Sequence, residues 1–259
     1  MAWRDFRAPS CESVMWIKRL KTYLLATRPQ FLPAVAVPVA LGASTAWASH
    51  RMFNVFYFTV SLIAALLYHA GMNVLNDYFD NRNGADNMNM GGLAPFTGGS
   101  RFIQTGLMTP RETLRLGALL IAGGSGAGLY LAYMAGMPLL IIGAAGLFSG
   151  VFYSAPPFFF AGRGLGEIIV GLNFGVMTVA GSHFVQAGEV SLMPVIASLP
   201  VSFFISALLY MNEFPDCPAD RAAGKKTLVV LIGPEKGRYV IIALVGGAYL
   251  SLFAGIASG

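Results

Sequence analysis

Two short stretches of the 259-residue sequence hold six of its twelve carboxylates. The first, NVLNDYFDNRNGAD, runs from Asn73 to Asp86. It sets Asn73, Asp77 and Asp80 at i, i+4 and i+7, which is one face of a helix, with Asn76 nearly on that face. Arg82 and Asp86 follow. The second, NEFPDCPADRAAGKKT, runs from Asn212 to Thr227 and carries Asn212, Glu213, Asp216 and Asp220, then Arg221, Lys225 and Lys226. Pro215 and Pro218 predict a disturbed helix there, so its face is only approximate. Asn73, Asp77 and Arg82 recur as Asn212, Asp216 and Arg221 at a constant offset of 139 residues. A duplicated helical unit would set the two clusters across a central cavity from each other.

Clustered carboxylates repel one another unless positive charge sits between them. A divalent cation with oxygen ligands is the natural partner, and magnesium completes its shell with water and substrate phosphates. Opposed clusters flanked by Arg82, Arg221, Lys225 and Lys226 therefore suit a diphosphate held through bridging Mg2+. The metal would also neutralise charge on a departing diphosphate. Asp and Asn at loop ends also cap helices or face water. Two such clusters at membrane depth favour function, because ionisable groups there are costly.

The elements that must position them are membrane spans. The chain is 56% hydrophobic and only 11% charged, with mean hydropathy +0.64. Too little polar surface exists for a water-soluble globule, and disorder is excluded by the same composition. Spanning helices need about 20 apolar residues. Seven stretches qualify, near 31–49, 54–75, 116–135, 137–155, 165–187, 192–212 and 239–258. None alternates like a barrel strand. The reading is an all-α, polytopic transmembrane helical bundle.

All but Arg51 of the 17 Lys and Arg residues fall on one side of this topology. That side is cytoplasmic by the positive-inside rule. The excess positive charge is thus a topology signal, and no nucleic-acid partner is needed. Both acidic clusters lie on the same side, as does the N-terminus. No cleaved signal peptide is read. Cys11 and Cys217 share that side, which argues against a structural disulfide.

Residues 12–27 set Trp16, Ile17, Leu20, Tyr23 and Leu24 among basic residues, as an interfacial amphipathic helix does. Residues 87–100, rich in Gly and Met, form either a lid or a floppy loop. His69 and His183 fall inside spans and are expected to hydrogen-bond neighbouring helices. His50, in a short outer loop, carries no signal. Glu167 opens the fifth span, where a carboxylate suits a helix N-terminus.

At the two clusters the sequence resembles the UbiA superfamily of membrane prenyltransferases. NDYFD with Asp86 is similar to the family's first aspartate motif, and DCPAD followed by RAAGKKT to its second. TRPQFLPAVAVPVALG at 27–42 is similar to the family's first helix. TGGSRFIQTGLMTP at 97–110 and FYSAPPFFFAGRGLGE at 152–167 resemble the branch that prenylates 1,4-dihydroxy-2-naphthoate in the menaquinone pathway. The resemblance covers most of residues 18–235.

It implies a bundle whose central cavity opens to the cytoplasmic face and laterally to lipid. Asp77, Asp80, Asp86, Asp216 and Asp220 would ligate two Mg2+ ions that hold a polyprenyl diphosphate, with Asn73, Asn76 and Asn212 beside them. Arg101 and Lys225 match basic positions that contact diphosphate or an acceptor carboxylate. Tyr153 matches a position near the reacting centre; an interfacial tyrosine is the other reading. An allylic cation would be attacked by an electron-rich aromatic acceptor, with loss of carbon dioxide in the naphthoate branch to give demethylmenaquinone. The implied location is the cytoplasmic (inner) membrane.

The family usually has nine spans, against the seven counted, and the sequence ends at Gly259 directly after an apolar stretch. The expectation is one transmembrane domain over 1–259, with a cytoplasmic or interfacial segment at 1–28. It is either a shorter variant or lacks C-terminal spans. Glu213, Phe214 and Pro215 replace a triplet common in the family, which leaves 4-hydroxybenzoate or another ring open as acceptor. From a different class, an ion-coupled transporter also uses repeats and helix-end Asn/Asp clusters, but near the midplane.

Overall fold

A computed structural model of the protein describes residues 11–89 and 97–257. Among these the ordered elements are all helical. In chain order they are α1 (Cys11–Ala26), α2 (Pro33–His50), α3 (Val55–Asn83), α4 (Ala85–Met88), α5 (Pro110–Ala135), α6 (Met137–Ser154), α7 (Gly166–Val170), α8 (Thr178–Ala187), α9 (Met193–Ala222), α10 (Leu228–Ile232) and α11 (Pro234–Ala257). A π-helical segment, Gly171–Met177, joins α7 to α8 into one continuous rod. Among the described residues, six helices are long and apolar enough to cross a membrane, and a bent pair, 15–31 with α2 at 57°, makes a seventh if it is one span.

The helix ends follow from local sequence. Asn54 caps α3 by accepting from the Tyr57 N–H at 3.1 Å. Thr109 and Glu112 form a reciprocal capping box on α5. Pro110, Pro138, Pro194 and Pro33 stand in the first turns of their helices, where no amide donor is missed.

Two expectations change. α3 and α9 extend past the apolar stretches to Asn83 and Ala222, so the carboxylates of both clusters lie on these helices, except Asp86, which stands on α4. α9 also runs unbroken through Pro215 and Pro218. Ring clashes that break helices in water are tolerated where neighbouring helices support the freed backbone.

Small residues let the helices approach closely. A Cβ on Gly42 of α2 would meet Ser182 Cβ at 2.6 Å and the His183 amide at 3.0 Å. A Cβ on Gly71 of α3 would meet Ile121 at 2.7 Å. Such small-residue seams drive packing where lipid is as apolar as the side chains. α1 leaves Trp16, Ile17, Leu20 and Leu24 exposed. Residues 90–96 of the 87–100 segment, Arg4, Arg7 and the Cys11 side chain lie outside what is described.

Candidate active site

A cavity of about 590 Å³ runs through the bundle. Its body is apolar, walled by residues such as Val39, Leu129, Leu139, Leu147, Ile169 and Met177. Its polar end collects Asn73, Asn76, Asp80, Asp86, Asn89, Asn212, Glu213, Asp216, Asp220 and Lys225. The two clusters thus face each other, as the duplicated spacing predicts.

Lys225 joins them. Its Nζ lies 2.9 Å from Asp80 Oδ1 and 3.4 Å from Asp220 Oδ1. All three residues are buried, at 8%, 7% and 6% exposure. The Lys225 N–H bonds back to the Asp220 carbonyl at 2.9 Å, and Gly224 takes φ +75° just before it. This tight turn folds the lysine back over the end of α9. Burial works against its charge, yet Asp80 and Asp220 outweigh burial and hold its pKa above the usual lysine range.

The repeat holds in geometry as well as spacing. Asp77 and Asp216 both take backbone amides from one turn: Ser100 N–H donates to Asp77 Oδ1 and Gly98 N–H to Asp216 Oδ2, each at 3.2 Å. Arg28 pairs with Asp77 and donates to Asn76 Oδ1 at 3.2 Å. Asn89 donates to Asp216 at 2.7 Å. Asn76 donates to Asp80 at 3.1 Å and to Ser154 at 3.0 Å, which fixes α3 against α6.

Asp77 and Asp86 converge on Gly99, which sits at φ +71°. A Cβ there would lie 3.0 Å from Asp86 Oδ2 and 3.1 Å from Asp77 Oδ1. Among the described residues no donor reaches Asp77 Oδ2 or Asp86 Oδ2, although both atoms are buried. Burial first, then the Asp80 and Asp77 carboxylates, push the Asp86 pKa up to about 8. Paired carboxylates with buried, unpartnered oxygens are what a hard divalent cation requires. The donor set therefore fits Mg2+, with Asp77, Asp80 and Asp86 on one side and Asp216 and Asp220 on the other.

The other expected residues divide. Asn212 and Tyr153 line the cavity. Asn73 lines it while donating to the Thr27 carbonyl at 2.9 Å, so it also holds the start of the bend before α2. Arg101, half-buried at φ +59°, donates to the Asn89 carbonyl and is outside the lining.

Arg82, Arg221 and Lys226 correct the sequence expectation. They are exposed and do not line the cavity. Two residues beyond Asp80, Arg82 is turned about 200° around α3. Its guanidinium lies over the Tyr78 ring at 5.9 Å. Lys226 contributes its backbone N–H to the Gly162 carbonyl at 2.9 Å.

Sequence reasoning missed Arg28 and Asn89 as site residues, and the pairing of Glu167 with Glu213. Arg28 reads as one topology cation among many. Glu167 is buried, hydrogen-bonded by its carbonyl to Ser206 at 2.8 Å, and its carboxyl group meets that of Glu213. Glu213 accepts from the Val229 N–H at 3.4 Å.

Residues 35–259 match the model of the UbiA prenyltransferase family. The chain belongs to that family. Human UbiA prenyltransferase domain-containing protein 1 is 28% identical over 221 residues, 85% of this chain and 63% of that protein. The chain thus spans less than two thirds of such curated relatives. The 1,4-dihydroxy-2-naphthoate octaprenyltransferase of Bacillus subtilis is 28% identical over 217 residues, 84% of this chain and 67% of that one. In fold, the chain is similar to a UbiA homolog from Archaeoglobus fulgidus, solved with GPP and Mg2+ and with DMAPP and Mg2+. The TM-scores are 0.71 and 0.72, at 17% identity, covering 92% of this chain and 78% of that one.

Proposed function

We propose that this protein is a Mg2+-dependent aromatic prenyltransferase of the membrane. The observation that carries this is the pair of facing carboxylate clusters at one end of a largely apolar cavity, with Lys225 between them. Family membership and the prenyl diphosphates bound by the archaeal homolog support the donor assignment.

Asp77, Asp80, Asp86, Asp216 and Asp220 would hold Mg2+, which when bound supplies charge neutralisation for the diphosphate. Lys225 and Arg28 add fixed positive charge at the same end, already oriented by Asp80, Asp220 and Asp77. Preorganised charge of this kind needs no rearrangement as the leaving group departs. The apolar body buries the isoprenyl tail and keeps water from the allylic carbon. Tyr153 offers a ring face to positive charge developing there. The acceptor is an electron-rich ring; 1,4-dihydroxy-2-naphthoate, decarboxylated to demethylmenaquinone, is the reading that the Bacillus subtilis relative favours. The site then belongs on the cytoplasmic face, where the basic residues gather.

The test is incubation of the protein in nanodiscs with prenyl diphosphates and a panel of aromatic acids, with products identified by mass. A prenylated ring and an equivalent of pyrophosphate, both requiring Mg2+, are expected. Solute movement across vesicles with no bond broken would overturn the reading.

A further inference from the structure

The opposite end of the bundle holds a second group of ligating side chains. α2 ends at His50, and α8 carries His183 and is followed by Glu189. A donor atom from each lies within 4.8 Å of the other two. His50 Nε2 is 2.8 Å from Glu189 Oε1. Asp77 lies 22 residues along α3 from Val55, or about 33 Å at helical rise, so this group is separate from the aspartate site.

His183 is the informative member. It is fully buried, in the plane of contact between α2 and α8. Its Nδ1 lies 2.9 Å from Thr45 Oγ1, and that hydroxyl donates its single hydrogen to the Gly42 carbonyl at 2.7 Å. Thr45 must therefore accept from His183, so Nδ1 carries the ring proton. The lone pair is then on Nε2, which is buried and meets no hydrogen-bond partner among the described residues. A buried, unprotonated imidazole nitrogen whose other nitrogen donates to a neighbouring oxygen is how metal-ligating histidines are held.

The surroundings are fixed. Gln186 receives the Asn54 N–H at 2.6 Å and donates to the Asn54 carbonyl at 3.1 Å, which clamps the α2–α3 connection to α8. Arg51, the adjacent cation, lies over the Trp47 ring at 5.7 Å. His50 and Glu189 are partly exposed, at 32% and 52% of their side chains, so a further position faces solvent.

We propose that His50, His183 and Glu189 form a site for a divalent transition-metal ion of the zinc type. Two imidazoles and a carboxylate, with water as the fourth ligand, suit Zn2+. Nitrogen donors disfavour Mg2+, which keeps the two sites chemically distinct. Bound metal would tie the end of α2 to the end of α8.

The experiment is Zn2+ competition against a chromogenic chelator, using the metal-stripped full chain in nanodiscs. An Asp77→Asn, Asp216→Asn background removes the aspartate site. One Zn2+ per chain is expected there, unaffected by excess Mg2+. His50→Ala and Glu189→Gln should each weaken it at least tenfold and remove the rise in Tm that Zn2+ gives the parent. Both residues are partly exposed, so these variants fold even if a His183 variant does not. Equal Zn2+ affinity in parent, His50→Ala and Glu189→Gln, or no Zn2+ bound in the aspartate-deficient background, would overturn the proposal.

Discussion

Lys225 holds Asp80 at 2.9 Å while reaching Asp220 at 3.4 Å, so a single ammonium spans the two halves of the duplicated motif. Removing it leaves two buried carboxylates without their cation. Breaking a buried pair in this way costs about 3–5 kcal/mol. Lys225→Met should lower Tm by several degrees and reduce prenyl transfer more than a hundredfold. Lys225→Arg should recover stability better than activity, because the planar fork cannot occupy the same point. Thermal unfolding and turnover in the same nanodisc preparation check both statements.

Gly99 gives a sharper test of the carboxylate cradle. Gly99→Ala carries left-handed strain of about 1–2 kcal/mol, and its Cβ would also press on Asp77 and Asp86. Gly106→Ala carries the same strain at φ +71° with nothing within 4 Å. Both should lose similar stability. Only Gly99→Ala should raise the half-saturating Mg2+ concentration, by tenfold or more.

The basic residues should separate cleanly. Arg28→Ala removes the partner of buried Asp77 and should abolish most turnover. Arg82→Ala, Arg221→Ala and Lys226→Ala, all exposed and outside the cavity lining, should stay within about twofold of the parent. A large loss in any of the last three would mean that its side chain swings into the site.

How much of this is legible in sequence depends on the type of signal. The apolar stretches fix the spans because twenty-residue hydrophobic runs have few other uses. The 139-residue offset carries through to Asp77 and Asp216 taking amides from the same turn. The same offset misleads at Arg82 and Arg221, since neighbours in sequence lie on different helix faces. Arg28 stays hidden because its role comes from a left-handed backbone, φ +53°, at the bend before α2. Nothing local marks that conformation in an arginine. Pro215 and Pro218 mislead for a different reason, as tertiary support overrides their helix-breaking tendency.

Packing offers a prediction independent of chemistry. Gly42→Ala would drive a Cβ into Ser182 and the backbone of α8, neither of which can rotate away. Overpacking of this kind costs about 1–3 kcal/mol. Gly128→Ala, with open space around its Cβ, should be neutral. Denaturation in matched detergent micelles compares the two.

The most direct measurement is a double-mutant cycle on prenyl diphosphate affinity, with Asp80→Asn, Asp220→Asn and the pair, each with and without Mg2+. If both carboxylates act on one Mg2+-bound diphosphate, the losses are strongly non-additive with Mg2+ and small without it. Additive losses that ignore Mg2+ would contradict a shared site.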